Sequence, residues 1–299
     1  MRGSTLRAFR AATLDAMHDR GERTRAPVLV LGVEHSGTSI LYNMIARHPS
    51  TTWFSQYSTR AGDVSGSRTT PPWRWVDRAG RRFAHHDWRK MVSGLRARVA
   101  PRPTEGWEIW SEYLERDAPA AERAAALSTM VDTFCTRVHR PVFVGKSPRL
   151  LRKLDVLCRM EPTPKGVHIV RDGRAVAVSL RKRLAAGDPD EEAWPKVAEY
   201  WVNSLERVRS FQASVDVLVV RYEDLCTDVH GTLTRVFPHM GLAAPAAVLD
   251  SLPLQLKSRN RPLAPDLAPA IVDRVADLQA RHLDEFGYDP GPELHRAHR

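Results

Sequence analysis

The stretch Val28-Leu-Val-Leu-Gly-Val-Glu-His-Ser-Gly-Thr-Ser-Ile-Leu-Tyr-Asn-Met-Ile-Ala-Arg-His-Pro49 decides how this 299-residue chain is read. Four apolar residues, Val28 to Leu31, have the length and content of a short buried strand. Gly32 interrupts them. Thr38 and Ser39 then open a helically spaced apolar pattern of Ile40, Leu41, Met44 and Ile45, which His48-Pro49 ends. A strand, a glycine-containing loop and a helix N-terminus together form a cradle for an anion. The loop N–H groups and the positive end of the helix dipole converge on one point. An ordinary tight strand–turn–helix connection is the competing reading of the same glycines.

Set against the P-loop pattern G-x-x-x-x-G-K-[ST], Gly32, Gly37 and Ser39 fit. The lysine does not, because Thr38 stands in its place. In kinases and NTPases that lysine reaches the terminal phosphates and the following hydroxyl binds Mg²⁺. Its loss argues against a metal–triphosphate ligand but leaves room for another anion in the loop.

Working outward, the chain resumes alternating strands and helices after a long irregular stretch. A second short strand is expected within Ser50–Tyr57. Residues 60–106 carry Gly, Pro, Arg and Trp without a period, punctuated by Trp73, Trp75 and Trp88 and followed by Trp107. Such a segment is expected to be an insertion that covers or shapes a substrate cleft. Then come a helix over Ala120–Val138, a strand over Pro141–Gly145, a helix over Pro148–Met160 with proline in its first turn, and a strand over Gly166–Val170. Asp172 is a natural cap for a helix over Gly173–Ala185. A helix over Glu191–Gln212, a strand over Val215–Val220, a basic proline-rich loop from Leu252 to Pro265 and a closing helix over Ala268–Phe286 complete the order. An amphipathic helix is expected within residues 1–25. The sum is a single α/β domain over 1–299, a central parallel sheet flanked by helices. Ligands of such sheets collect at the carboxyl ends of the strands. Those ends carry Gly32–Thr38, Lys146-Ser147, Arg171-Asp172 and Arg221-Tyr222.

Composition narrows the class. Hydrophobic content of 42% supports a core, and no run approaches the ~20 apolar residues of a membrane span. The net charge is +10, and residues 60–102 alone hold eleven Lys/Arg against three Asp. That excess attracts anions, yet no zinc-finger or RNP signature supports nucleic acid as the partner. Cys135, Cys158 and Cys226 lie far apart with no C-x-x-C. Buried thiols in a reducing cytoplasm are therefore expected, rather than disulfides or a metal site. No H-E-x-x-H occurs among the twelve histidines. Glu34 and Thr38 flank Ser36 where a nucleophile elbow needs glycines.

Taken together, the motifs resemble the sulfotransferase family that uses 3′-phosphoadenosine 5′-phosphosulfate (PAPS). Gly32-Val-Glu-His-Ser-Gly-Thr-Ser39 is similar to its 5′-phosphosulfate loop. Val170-Arg-Asp-Gly-Arg-Ala-Val-Ala-Val-Ser179 is similar to its 3′-phosphate element, an arginine followed eight residues later by a serine. Lys146-Ser-Pro148 and Val220-Arg-Tyr-Glu-Asp-Leu225 agree. The resemblance implies a P-loop-like fold, PAPS as co-substrate without metal, and transfer to a hydroxyl of a small molecule or carbohydrate. It implies donor contacts from Glu34, His35, Ser36, Gly37, Thr38, Ser39, Arg171, Ser179 and Tyr222. A late basic segment, Lys257, Arg259 and Arg261, would also lie near the nucleotide.

Beyond that late basic segment, which lacks the family's usual glycine pattern, the chain departs from the family in two places. His35 stands where Lys or Arg usually precedes Ser-Gly-Thr. It can donate to the sulfate or bridging oxygen if protonated, or act as base, and Lys146 is the candidate for the remaining cation. The base is the second departure, since Gln56 falls where some relatives carry a glutamate. Asp63, Glu105 and Glu108 are the nearest carboxylates, and Glu105 is preferred. A nucleotide kinase with an aberrant loop and a non-catalytic anion- or nucleic-acid-binding protein are the alternatives.

Overall fold

The computed structural model describes residues 24–56, 58, 101–263 and 266–289. The expected N-terminal helix, most of the 60–106 insertion with Asp63, Trp73, Trp75 and Trp88, and the last ten residues lie outside them.

Five parallel strands form one sheet in the order β2-β3-β1-β4-β5. They are β1 (Val28–Leu31), β2 (Thr51–Thr52), β3 (Val142–Lys146), β4 (Lys165–Val170) and β5 (Val217–Arg221). The central strand shows why the sheet is covered on both faces. Val28 and Val30 enter one apolar cluster, and Leu29 and Leu31 enter another. Successive side chains alternate, so an all-apolar strand must be packed on both sides. Helix α1 (Thr38–Ile45) lies in the first cluster, and α2 (Trp107–Leu114) and α3 (Ala120–Val138) lie in the second. A third cluster joins α5 (Gly173–Leu184) and α6 (Asp190–Gln212) to the closing helix α10 (Pro269–Glu285). Between these lie α4 (Leu154–Leu157), α7 (Tyr222–Thr227), α8 (Val229–His239) and α9 (Ala246–Leu249).

Topology positions the site. From β1 the chain crosses to β2, returns to β3 beside β1, then passes to β4 on the other flank. The carboxyl ends of β3, β1 and β4 are therefore neighbours at the point where strand order reverses, the usual crevice of an open α/β sheet. Lys146 pairs in register with Val30, and His168 with Leu31. Lys146, the loop after β1 and Arg171 thus open on the same edge.

One expected element divides. Residues 148–160 form a 3₁₀ turn, Pro148–Arg152, and then α4, with a break at Lys153. Ser147 caps the turn by accepting from the Arg149 amide at 3.4 Å. No helix among the described residues is long and apolar enough to cross a membrane. The three cysteines are free, and burial pushes the Cys135 thiol up to about 12.

Candidate active site

The loop between β1 and α1 is built on left-handed backbone. Gly37, which precedes α1, has φ +96°, and a Cβ there would meet the Tyr222 ring at 2.6 Å. His35 has φ +65°, a conformation that costs a non-glycine residue about 1–3 kcal/mol. No side chain among the described residues caps α1. In its first turn the Ile40 amide donates to the Gly37 carbonyl at 3.0 Å, which leaves the Thr38 and Ser39 amides at the loop end without an intrahelical acceptor. Ser36 is fully buried, and its hydroxyl has no partner among the described residues.

Arg171 sits at the end of β4, 4% exposed, and ties this loop to a distant segment. Its Nε donates to Asn260 Oδ1 at 2.8 Å. One terminal nitrogen donates to the His35 carbonyl at 2.7 Å, and the other to the Arg259 carbonyl at 2.6 Å. The guanidinium lies 4.7 Å from the centroid of the Tyr222 ring, and the Tyr222 hydroxyl accepts from the Arg259 amide at 3.1 Å. Tyr222 itself is buried, so in this structure it carries Arg171 from below. A further layer holds the assembly. Glu223 accepts from Asn260 Nδ2 at 2.8 Å and from the Tyr288 hydroxyl at 2.6 Å. Trp201 Nε1 donates to the Arg171 carbonyl at 3.2 Å.

The neighbouring aspartate does not pair with Arg171. Asp172 accepts from the Arg174 amide at 2.9 Å and from its guanidinium at 2.7 Å, a buried pair that caps α5. Two turns along α5, Ser179 is half-buried and donates to the Ala175 carbonyl at 2.9 Å.

On the other flank, Lys146 is 5% exposed. Its ammonium donates to Ser39 Oγ at 3.1 Å and forms an ion pair with Glu105. Glu105 also accepts from the Ser147 hydroxyl at 3.3 Å. Its side chain is 47% exposed, so one face of this carboxylate meets solvent. Glu108 lies exposed in the first turn of α2 and makes no such link among the described residues. Gln56 is occupied by the Arg102 amide at 2.6 Å.

His35 is exposed, and its pKa is lowered. Partial burial is the main cause, Arg183 and Arg171 add to it, and Glu34 opposes them. These surroundings favour the neutral ring over the protonated donor. Glu34 does not line the loop interior. It pairs with Arg183 at 2.8 Å and accepts from the Tyr200 hydroxyl at 2.6 Å. Burial, and next the bond to Glu34, push that phenol up to about 12.

The structure thus brings His35, Ser36, Gly37, Thr38, Ser39, Lys146, Glu105, Arg171 and the Arg259 backbone to one edge. Lys257, Arg259 and Arg261 are exposed on the segment beside it. Sequence reasoning missed Asn260, Glu223, Arg183 and Tyr200. Asn260 sits inside the basic segment already singled out. Arg183 lies four residues after Ser179, hence on the same helix face, and that spacing was a usable signal.

The family profile described as "Sulfotransferase family" matches residues 27–246. Among curated proteins, the omega-hydroxy-beta-dihydromenaquinone-9 sulfotransferases Stf3 of Mycobacterium bovis and Mycobacterium tuberculosis are 24% identical over 200 residues. That alignment takes in 60% of this chain and 50% of theirs, so the chain spans about half the length of these relatives. Among solved structures, sulfotransferase STF9 from Mycobacterium avium superposes with TM-score 0.58 at 14% identity, covering 96% of this chain and 83% of that one. Sulfotransferase STF1 from Mycobacterium tuberculosis H37Rv gives TM-score 0.52 at 19% identity, with 83% and 74% covered. At such identities the superpositions speak for the fold. With the profile spanning both the loop after β1 and the arginine ending β4, the chain belongs to the sulfotransferase family.

Proposed function

We propose that the chain is a PAPS-dependent sulfotransferase that modifies a hydroxyl of a small-molecule or carbohydrate acceptor. One observation carries the reading. The anion-type loop is hydrogen-bonded to Lys146 on one side and to Arg171 on the other, so two separate cationic grips share one cleft. PAPS has two separated anionic ends. The residues suit it: uncapped first-turn amides and the unpartnered Ser36 hydroxyl at the loop, and a planar guanidinium with two of its five N–H donors still available at Arg171. Ser179 would complete the second grip by turning its hydroxyl away from Ala175. No group of metal-ligating residues occurs among the described residues.

The donor supplies an activated sulfuryl group. An acceptor oxygen forms the new S–O bond while the bridging S–O bond to phosphate breaks. This chain's part is charge and proton handling. Glu105, whose carboxylate is partly open to solvent, takes the acceptor's proton. Lys146 holds negative charge developing on the bridging oxygen. The neutral His35 ring donates one N–H to the same region. Because Lys146 touches both Ser39 and Glu105, it links the donor loop to the base. The matched Mycobacterium relatives are named for an omega-hydroxylated acceptor, which supports a hydroxyl as the group modified here.

A thermal-shift titration tests this. Saturable stabilisation is expected with 3′,5′-adenosine bisphosphate and not with ATP plus Mg²⁺. The reverse pattern would move the protein to the kinases.

A further inference from the structure

Beside Glu105 the rim of the cleft carries positive charge that the mechanism above does not use. Arg149 and Arg152 both lie on the 3₁₀ turn that follows Lys146-Ser147. Side chains at i and i+3 eclipse in that geometry, with backbone positions roughly 6 Å apart along the axis, so the two project on one side. Both residues are exposed. Arg149 lies 5.1 Å from the centroid of the Trp107 ring, two residues from Glu105. Arg152 lies beside the Tyr200 hydroxyl, which donates to Glu34 at 2.6 Å. The two guanidinium groups therefore span the rim from the candidate base to the outer side of the loop.

Among the described residues neither arginine has a carboxylate within ion-pair distance. Elsewhere on the surface the arginines at 181, 183 and 209 each have one. Two exposed guanidinium groups without a carboxylate at ion-pair distance make this rim attractive to an anion. Their planar forks match phosphate, sulfate or carboxylate oxygens. The donor's anionic ends are already assigned to the loop and to Arg171, so this pair is left for the other substrate.

We propose that Arg149 and Arg152 bind an anionic group of the acceptor, making the acceptor an alcohol that also carries a phosphate, sulfate or carboxylate. The inference rests on the sulfotransferase reading, because it takes the Glu105 side of the cleft as the acceptor side. Trp107 would offer a ring face next to that anion.

The test uses the full chain saturated with 3′,5′-adenosine bisphosphate, so that the nucleotide grips are filled, and benzyl phosphate as probe. Saturable calorimetric binding of benzyl phosphate is expected. It should weaken tenfold or more in Arg149→Gln/Arg152→Gln, as expected for lost charge-assisted contacts, with the Kd of the bisphosphate unchanged. Benzyl alcohol should bind far more weakly than benzyl phosphate. No binding of benzyl phosphate, equal binding by the double variant, or equal affinity for benzyl alcohol would each overturn the proposal. A wild-type chain that fails to bind the bisphosphate at all would instead sink the sulfotransferase reading.

Discussion

Replacing Arg171 with alanine separates a nucleotide grip from a mere brace. In the structure the guanidinium makes three charge-assisted hydrogen bonds, to Asn260, His35 and Arg259, while packed on Tyr222. Bonds of that type are worth about 1.5–3 kcal/mol each. Water entering the cavity will satisfy part of what is lost, so the fold should lose about 3 kcal/mol, and roughly 5 °C or more in Tm. The left-handed His35 peptide loses its anchor in the same change. If the remaining N–H donors grip a 3′-phosphate, the Kd for 3′,5′-adenosine bisphosphate should rise by a further factor of roughly 10–150. Adenosine 5′-phosphate, which lacks that phosphate, should lose much less. Calorimetric titration of both ligands against wild type, Arg171→Ala and Arg171→Lys reads the effect. Lysine keeps the charge but cannot span three acceptors, so it should fall between the two. A lowered Tm with unchanged affinity for the bisphosphate would refute the assignment and leave Arg171 as a structural tie.

Glu105→Gln keeps shape and removes basicity. Turnover should fall by roughly 10²–10⁴ with nucleotide affinity nearly unchanged, and a variant with normal kcat would remove Glu105 as base. His35→Ala should depress kcat more than it weakens the nucleotide, whereas equal losses in both would mean that the ring only binds. Gly37→Ala forces a Cβ onto Tyr222 at φ +96°. It should lower both Tm and nucleotide affinity, and a wild-type-like variant would show that the loop relaxes freely. Stability should also depend on acid. Burial pushes His48 and His168 down to about 4 from about 6.5 in the unfolded chain. The folded state therefore binds fewer protons. Its stability is full above pH 6.5 and is lost as pH falls toward 4, by about 3 kcal/mol per histidine. Urea midpoints at pH 7 and 4.5 check this, and His168→Leu should flatten the dependence. An identical slope in the variant would show that His168 is not its source.

Much of this was legible because apolar runs and loop glycines act locally. Val28–Leu31, Gly32 and the pattern after Thr38 suffice for a strand, a turn and a helix, and the residues after each strand mark the cleft edge. Strand order was not legible. That β3 and β4 flank β1 depends on packing between segments more than a hundred residues apart, and this adjacency is what sets Lys146 and Arg171 on either side of one loop. Partner choice was hidden for the same reason. Asp172 reads as the cap of α5 and is one, but its buried pairing with the Arg174 guanidinium and the reach of Arg171 to Asn260 follow from the packing and not from local spacing. The break at Lys153 was masked by Leu150, Leu151, Leu154 and Leu157. Their spacing fits one continuous helix as well as a 3₁₀ turn followed by a short one.

The bond from Arg171 to the His35 carbonyl has a bearing on redesign. It fastens the peptide ahead of α1 to the strap at Arg259 and Asn260, so three regions distant in sequence behave as a single cassette. Grafting the loop alone into another scaffold would leave its strained peptide without a clamp. A transplant meant to alter donor preference has to carry all three pieces together.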